Sequence, residues 1–399
     1  MRIIGIMSGT SHDGVDVAAA DFSIAGNAVL MKPLGFLEHE IPDDLDRLIT
    51  DAISGVSIDA QAVCRLDTEL GQLCASAAAR ALGAFAENAD LIVSHGQTIW
   101  HWEEGGRARG TLQLGNPAWI AEETGVAVLS DIRMRDVAAG GNGAPLASTF
   151  DTMLASGQFD EAAAFLNLGG ISNMTIVGAG RMPIAYDLGP ANALVDAAMV
   201  RFTDGRERFD AGGERARAGR VQAALLERLM DHPYYALEPP KATGKETFSS
   251  DYLASILAAF PEVAEDDVLA TLTEHAAALV AAEAESQKVS HVIASGGGVR
   301  NPYLVERLRD HLADIQYLSI EELGVSPESK EAYMMALLGF LSLSGVGASV
   351  PSCTGASDTR ILGTLTPGAS GWPRIETLPA DTAPSRLVIL DEGNDYGVA

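Results

Sequence analysis

A short polar turn near the amino terminus has the composition of a phosphate-binding loop. The apolar run Arg2 to Met7 leads into Ser8-Gly9-Thr10-Ser11-His12-Asp13-Gly14, and a second apolar run, Val15 to Ala20, resumes with Asp16 set into it. Glycines let a ligand approach the backbone closely, and successive N–H groups in such a turn form an anion nest. We therefore predict that Gly9 to Asp16 hold the β- and γ-phosphates of a nucleotide. An ordinary hairpin turn with capping hydroxyls has the same composition.

Two carboxylates in and beside this turn, Asp13 and Asp16, suit a divalent cation. Magnesium prefers carboxylate oxygens together with water and phosphate, so we predict that these two residues hold Mg²⁺ through water. The turn is not a Walker loop, because Val15-Asp16 follow where Lys and then Ser or Thr are required.

Two further glycine clusters follow apolar strands. Gly169-Gly170 lies in AAAFLNLGGISNMTIV, with Asn173 shortly after it, and Gly296-Gly297-Gly298 lies in HVIASGGGVRN, which ends at Asn301. With the first turn, these make three small-residue loops at strand ends, which favours a site over three unrelated turns. We predict that two of the loops clamp phosphates from opposite sides and that the third lies against an adenine or a ribose.

One carboxylate stands where a strand gives way to a helix. In RMPIAYDLGPANALVDAA, Asp187 ends a strand, and Pro190 suits the first turn of the helix that follows. Ligands of α/β proteins bind at such strand ends, so Asp187 is a candidate general base that takes a proton from a hydroxyl or a water. A capping or loop aspartate is an equal alternative.

Several polar segments could recognise a second substrate. SHGQTIWH contains His95, Gln97 and His101, which indicate a substrate-binding turn or structural histidines; a metal site lacks a third ligand of clear spacing. Arg133 precedes the glycine-rich segment 140–143, which could be a hinge, a sugar-binding loop or a linker. Glu331 begins an apolar helix, where it could face a cleft or stabilise the helix dipole.

Apolar strands alternate with alanine-rich helices, which indicates an α/β protein. A strand, a small-residue turn and a second strand occur at Ile3–Asp21 and again at Ala163–Val177, which suggests two similar halves. The predicted strands are Ile3–Met7, Val15–Asp21, Leu91–Ser94, Thr111–Leu114, Ala127–Leu129, Ala163–Asn167, Met174–Val177, Ile184–Tyr186, His291–Ser295 and one in the tail at Arg386–Leu390. The predicted helices are Ile58–Phe85, Ala191–Phe202, Glu214–Met230, Phe248–Ala258, Asp266–Ser286, Pro302–His311 and Ser329–Leu343.

The charge balance narrows the class of partner. Across 399 residues, 27 Lys and Arg oppose 54 Asp and Glu, so the formal net charge is -27. Such a surface argues against nucleic acid and anionic membranes as partners. Three cysteines without CxxC spacing fit a reducing compartment, and neither a membrane span nor a signal peptide is evident, so we expect a cytoplasmic location.

Taken in order, these segments resemble the anhydro-N-acetylmuramic acid kinases, within the wider group of sugar kinases, actin and heat-shock chaperone ATPases. The segments that carry the resemblance are IMSGTSHDGVD, SHGQTIWH, LQLGNPAWIAEETGVAVLSDIRMRDVAAGGNGAPL, FLNLGGISNMT, YDLGPANALVD, PPKATGKETF, ASGGGVRNPYL, KEAYMMALLGFL and PSCTGAS. They extend from Ile6 to about Ser357, which is nearly the whole chain.

The resemblance implies two actin-like (ribonuclease H-like) domains, with mixed sheets flanked by helices, that close over a central cleft. It implies ATP and Mg²⁺ as cofactors, 1,6-anhydro-N-acetylmuramic acid as the sugar, and a homodimer. Asp187 matches the aspartate that activates water at the anomeric carbon while O6 takes the γ-phosphate. Five residues are assigned to the sugar: His95, Gln97, Arg133, Asn192 and Glu331. We expect domain segments 1–135 and 136–366, with the carboxyl-terminal helix free to pack back on the first, and a tail at 367–399.

Three departures from the family pattern leave sugar preference open: Leu188 and Ala191 in the aspartate motif, and Asn142 in the glycine-rich segment. One alternative is therefore a kinase of the same fold that acts on another sugar or anhydrosugar. Another, from a different class, is a nucleotide-binding regulator that uses no sugar, which the residues assigned to the sugar disfavour.

Overall fold

The computed structural model describes residues 1–9, 14–178, 180–239, 241–244, 247–375, 377–379 and 382–390. Contacts group the chain into two compact units. Unit 1 comprises residues 1–156 and 329–399, and unit 2 comprises residues 157–328.

Unit 1 is built on a seven-stranded sheet and a separate two-stranded hairpin. The strands of the unit are β1 (Arg2–Ser8), β2 (Val15–Ala25), β3 (Ala28–His39), β4 (Leu91–Ser94), β5 (Gln97–Glu104), β6 (Arg107–Leu114), β7 (Val128–Ser130), β13 (Thr364–Thr366) and β14 (Arg386–Ile389). Its helices are α1 (Asp43–Ile53), α2 (Ala60–Ala84), α3 (Pro117–Thr124), α4 (Met134–Ala138), α5 (Ala147–Ala155), α12 (Lys330–Leu343) and α13 (Pro351–Thr354). The sheet order is β13-β7-β4-β1-β2-β3-β14, and β5 and β6 form a separate hairpin.

Unit 2 is built on a five-stranded sheet. Its strands are β8 (Ala163–Leu168), β9 (Ile171–Val177), β10 (Ile184–Pro190), β11 (His291–Ser295) and β12 (Gln316–Ser319). Its helices are α6 (Asn192–Phe202), α7 (Glu214–Ala218), α8 (Ala223–Met230), α9 (Ser250–Leu257), α10 (Glu265–Ser286) and α11 (Pro302–His311). The sheet order is β10-β9-β8-β11-β12.

The five strands of unit 2 repeat the central five of unit 1. In each sheet the first three strands form an antiparallel meander, and the first strand then pairs in parallel with a fourth, which pairs in parallel with a fifth. The α/β class with two mixed, helix-flanked sheets is therefore confirmed, and so are the two similar halves.

Helix α12 packs directly on the sheet of unit 1 because glycines remove the side chains between them. A Cβ at Gly5 of β1 would lie 2.0 Å from the Ala332 carbonyl oxygen, and one at Gly339 would lie 2.3 Å from Cγ2 of Val93. Of the fourteen residues of α12, only Glu331 is not buried. The helix is thus a core element that exposes one carboxylate at its first turn.

The two compact units have other boundaries than the predicted segments 1–135 and 136–366. Those segments remain a prediction of the domains. Helices α4 and α5 belong to unit 1, and α12 packs on the sheet of that unit. The tail also joins unit 1, because Arg386–Ile389 pairs in parallel with β3 at the edge of the sheet.

One predicted helix is wrong, and several elements were not predicted: strands β3, β5, β12 and β13 and helices α1, α3, α4, α5 and α13. The single helix expected over Glu214–Met230 is wrong, since α7 ends before Gly219 and α8 begins at Ala223. A Cβ at Gly219 would lie 2.0 Å from the Asp266 carbonyl oxygen, so the backbone there passes against α10. Strand β3 was missed, because Pro33 and Gly35 interrupt the apolar alternation that marks a strand.

Candidate functional site

The residues assigned from sequence form one cluster in each unit. In unit 1 they lie at the end of β1, after β4, before α4 and at the start of α12. In unit 2 they lie at the turn between β8 and β9, in β10 and after β11. Each cluster therefore lies where the strands of its own sheet end.

In unit 1, Gln97 ties the first glycine turn to the strand beside it. Its amide Nε2 donates to the Gly9 carbonyl at 3.2 Å, and its Oε1 accepts from the Ser8 hydroxyl at 2.5 Å. Ser8 and Gln97 are both buried. Gln97 thus holds the base of the predicted phosphate loop. Thr10, Ser11, His12 and Asp13 lie outside the described residues.

His95, which is buried, forms a hydrogen-bonded pair with Arg133, which is half-buried. The guanidinium Nε of Arg133 donates to His95 Nε2 at 2.8 Å, and His95 Nδ1 donates to the Gly96 carbonyl at 2.7 Å. These partners assign the neutral imidazole with its proton on Nδ1. Burial, together with the charge of Arg133, lowers the pKa of His95 to about 3. His95 is therefore a neutral acceptor that orients Arg133.

Arg133 carries its charge in a setting that disfavours it. Burial lowers the pKa of its guanidinium to about 10, and the nearby Glu331 carboxylate opposes that shift. Its Nη1 donates to the Gly143 carbonyl at 2.7 Å. Arg133 and Glu331, far apart in the chain, thus form an electrostatic pair at the exposed first turn of α12.

The glycine-rich segment 140–143 is anchored to its surroundings. The buried carboxylate of Asp136 accepts from the Gly143 amide and from the Thr354 hydroxyl, each at 2.9 Å. Asn142 Oδ1 accepts from the Ala108 amide of the β5–β6 hairpin at 3.0 Å. These contacts fix the segment beside Arg133, so they disfavour the loose linker among the three alternatives of hinge, sugar-binding loop and linker.

Asp16 occupies the second pair of the β1–β2 ladder counted from the turn. It lies opposite Met7 on one side and Glu38 on the other, and Val15 beside it is buried. Among the described residues no group of three or more His, Cys, Asp or Glu side chains could together hold a metal ion. A magnesium ion held by one or two carboxylates, water and phosphate needs no such group.

In unit 2, Asn192 fastens the second glycine turn. Its side-chain Nδ2 donates to the Gly169 carbonyl at 2.8 Å, and its backbone N–H donates to the same oxygen at 3.2 Å. The Gly170 carbonyl accepts from Ala191 and Ala193 of the same helix start. Asn192, assigned to the sugar from sequence, thus has a described role in holding the turn.

The third glycine cluster packs against the second. Gly296 has φ +85°, and a Cβ there would lie 2.4 Å from Asn167 Oδ1. A Cβ at Gly298 would lie 2.7 Å from the Cβ of Leu168, whereas one at Gly297 would have no atom within 4 Å. Gly297 therefore faces open space, where a ligand can approach. Asn301, assigned to ATP, caps α11 by accepting from the Tyr303 and Leu304 amides at 3.1 Å.

Asp187 lies at a bulge in β10 and is held at three points. Its Oδ2 accepts from the Thr243 amide at 2.9 Å, its N–H donates to the Lys241 carbonyl at 3.0 Å, and its carbonyl accepts from the Tyr234 hydroxyl at 2.7 Å. It lies opposite Asn173 of β9 in the sheet. The side chain is therefore fixed in direction, as a general base requires.

Tyr234 is the functional candidate that sequence reasoning missed. Its ring packs edge-on against Tyr235 and Phe248, and the ammonium of Lys241 lies 5.1 Å from its centroid. Burial and the Asp187 charge raise the pKa of the hydroxyl, so it remains a hydrogen-bond donor. No sequence signal marks Tyr234, because its hydroxyl meets the Asp187 carbonyl at a separation of 47 residues in the chain.

Comparison with known proteins shows which family the chain matches. The sequence model of the anhydro-N-acetylmuramic acid kinases matches residues 1–368. An anhydro-N-acetylmuramic acid kinase of Rhodococcus erythropolis is 46% identical over 398 residues, with 98% of this chain and 100% of the relative covered. One of Streptomyces coelicolor is 49% identical over 369 residues, with 92% and 94% covered. One of Salinibacter ruber is 38% identical, with 91% and 95% covered.

Proposed function

Because the chain belongs to the anhydro-N-acetylmuramic acid kinase family, we propose that it phosphorylates O6 of 1,6-anhydro-N-acetylmuramic acid with ATP while water opens the anhydro ring. The products are N-acetylmuramic acid 6-phosphate and ADP, and the activity belongs to the recycling of cell-wall peptidoglycan. The observation that carries the proposal is Asp187, whose carboxylate accepts from the Thr243 amide and whose backbone is held by Lys241 and Tyr234.

Asp187 acts as the general base. It takes a proton from water as the water oxygen bonds to the anomeric carbon. The bond from that carbon to O6 breaks, O6 keeps the electron pair, and O6 attacks the γ-phosphorus as the bond to ADP breaks. The Thr243 N–H stabilises the ionised carboxylate and fixes its direction, which supports attack from one defined side.

The glycine loops hold ATP. In this proposal Gly9, Thr10, Ser11, His12, Asp13, Gly14, Val15 and Asp16 bind phosphates, as do Gly169, Gly170 and Asn173. Gly296, Gly297, Gly298 and Asn301 bind the nucleoside part. The open space beside Gly297 and the close packing of Gly298 on Leu168 support a loop shaped for a ligand on one side. Asn301 contributes by starting α11.

Mg²⁺ fits the first turn, where Asp16 would hold it through water together with Asp13, which lies outside the described residues. When bound, the ion offsets the charge of the transferred phosphoryl group. A carboxylate oxygen is the donor that this ion prefers, and Asp16 offers one at the half-exposed end of β2.

The sugar is recognised by Arg133 and Glu331, with His95, Gln97 and Asn192 in support. His95 and Gln97 are buried and bonded to protein groups, so they act by fixing Arg133 and the glycine turn. Arg133 supplies a cation for the carboxylate of the muramic acid, and Glu331 supplies an acceptor for a hydroxyl or amide.

We also infer a homodimer and a cytoplasmic location. Family membership supports the dimer, and sedimentation or light scattering at working concentration tests it. All three cysteines, Cys64, Cys74 and Cys353, are free, which supports a reducing compartment. Within the part of the chain that the structure describes, no helix combines the length and apolarity needed to cross a membrane.

An isotope experiment tests the reaction directly. The protein is incubated with Mg-ATP and 1,6-anhydro-N-acetylmuramic acid in heavy-oxygen water, and the mass of the sugar product is determined by mass spectrometry. We expect a phosphorylated sugar with one heavy oxygen. A phosphorylated sugar without it contradicts coupled hydrolysis, and no product with retained ATP binding points to another sugar.

A further inference from the structure

A buried ion pair lies beside the first turn of α12. Lys330 Nζ is 2.7 Å from Asp151 Oδ1 of α5, and the two side chains are 7% and 2% exposed. Lys330 is the first residue of α12, and the next residue is Glu331. Both partners belong to unit 1.

Two physical costs make this pair poor as a device for stability alone. Removing two charges from water offsets much or all of their attraction, and apolar replacements of buried pairs are often neutral or stabilising. Lys330 also places a positive charge at the positive end of the helix dipole, where an anion is preferred. Asp151 supplies the opposite charge that the buried Lys330 ammonium requires, and it does so at one fixed point.

The pair lies at the first residue of α12 and fixes the start of that helix. Ser329 stands at the N-cap position with no capping hydrogen bond from its side chain. The rest of the first turn is set by the close approach of Ala332 to Gly5 and by the Tyr333 hydroxyl, which donates to the Gly35 carbonyl at 3.2 Å. The one exposed residue in this fixed turn is Glu331.

We infer that Asp151 and Lys330 are positioning residues, which hold the start of α12 so that Glu331 faces the sugar together with Arg133. The inference rests on the proposed function of Glu331 and adds two residues that contact no substrate. Fixing Lys330 fixes the backbone one residue away, and a carboxylate displaced by about 1 Å loses much of its value in recognition.

A double variant, Asp151→Leu with Lys330→Met, separates positioning from stability. Because apolar side chains replace both charges, the fold is retained. We expect KM for the anhydrosugar to rise by about tenfold, or kcat to fall with it, while KM for ATP changes by less than about twofold. Thermal unfolding is measured in parallel, and kinetics are recorded well below the melting temperature.

The matched control is Glu274→Gln in unit 2. Glu274 pairs with Arg307 at 2.6 Å and with His311 at 2.8 Å, and its side chain is 9% exposed. We expect this variant to lower the melting temperature without changing KM for the sugar. If the double variant binds the anhydrosugar as the unchanged protein does, Asp151 and Lys330 are structural only, and the inference is wrong.

A second variant covers the case in which the double variant does not fold. Asp151→Glu keeps the charge opposite Lys330 and lengthens the side chain by one methylene, so the pair is retained while the start of α12 shifts. The same selective rise in KM for the sugar is expected, and a KM equal to that of the unchanged protein overturns the inference. Activity of the unchanged protein on the anhydrosugar tests the proposed function. The ratio of variant to unchanged protein tests the ion pair, so the two can fail separately.

Discussion

In unit 1 the second pair from the β1–β2 turn places Asp16 between Met7 and Glu38. In unit 2 the corresponding position is Asn173, between Asn167 and Asp187. The same strand order thus places three residues side by side in each unit: Met7, Asp16 and Glu38 in unit 1, and Asn167, Asn173 and Asp187 in unit 2. In each row the third strand of the meander carries a carboxylate, which we call the outer-strand carboxylate. Asp187 lies at a bulge and is hydrogen-bonded to Tyr234, Lys241 and Thr243. The shared topology therefore provides the position, and the neighbouring segments provide the chemistry.

The end of the fourth strand differs more strongly between the units. After β4 the chain continues through His95 and Gln97 into a hairpin, so this end carries polar side chains. After β11 it enters Gly296-Gly297-Gly298 and a short 3₁₀ turn, so this end presents backbone. The difference suits side-chain recognition of a sugar in unit 1 and close approach to a nucleotide in unit 2.

The largest effect is expected when the two outer-strand carboxylates are neutralised in turn. Asp187→Asn should lower turnover by about a thousandfold, because a positioned general base contributes about 10²- to 10⁴-fold, with ATP binding retained. Glu38→Gln, its counterpart in unit 1, should change turnover by less than about threefold. Turnover is measured as ADP release with the anhydrosugar, and ATP binding is measured by calorimetry, in both variants. Equal losses of turnover in Asp187→Asn and Glu38→Gln would contradict a functional difference between the two carboxylates.

The second prediction concerns the buried histidine of each unit. Burial lowers the pKa of His95 to about 3, and that of His275 to about 4, from an ordinary value of 6.5. The unfolded chain therefore binds protons that the folded chain refuses, so stability is complete above pH 6.5 and is lost as pH falls toward 3 to 4.

Each histidine should contribute a slope of up to about 1.4 kcal/mol per pH unit in that window. Urea unfolding between pH 4 and 7.5 measures the slope in the unchanged protein, in His95→Gln and in His275→Gln. Each substitution should lower the slope of the unfolding free energy against pH by the amount that corresponds to one proton. Since the many carboxylates are common to all three proteins, an unaltered slope would mean that the histidine is charged in the folded state.

A neighbouring pair of glycines in unit 2 separates ligand approach from packing. Gly298→Ala should cost about 1–3 kcal/mol, because the new Cβ would overlap Leu168. Gly297→Ala meets no protein atom within 4 Å, so it should leave the melting temperature unchanged and raise KM for ATP severalfold. Calorimetry and kinetics on both variants decide this; an unaltered KM for ATP in Gly297→Ala would remove this loop from the nucleotide site.

The smallest effect is expected at Asn301. Asn301→Ala removes the cap from Tyr303 and Leu304 and should cost about 1 kcal/mol, whereas Asn301→Asp keeps the cap and most of the stability. KM for ATP should rise in Asn301→Ala, which loses stability, and stay nearly unchanged in Asn301→Asp, which keeps it. A large rise in KM for ATP in Asn301→Asp, at unchanged melting temperature, would show that the amide itself binds the nucleotide.

Much of the fold could be predicted because its signals are local. Continuous apolar runs marked the central strands of both sheets, and the helix predicted from Pro302 is α11, which begins at that proline. Strand β3 could not be predicted, since its alternation is broken by Pro33 and Gly35 and is compensated by pairing with β2 and β14. The helix break at Gly219 depends on contact with α10, which no spacing reveals.

The sequence by itself determined many of the strands and helices, the three glycine loops and the candidate base Asp187, because turns, caps and periodicity depend on neighbours in the chain. Only the tertiary structure decided that His95 is a buried acceptor for Arg133, that Tyr234 braces Asp187, and that Lys330 meets Asp151 beneath Glu331. These contacts join segments far apart in the chain. Their partners are chosen by packing and by the need to pair every buried polar group, and composition and spacing carry no record of that choice.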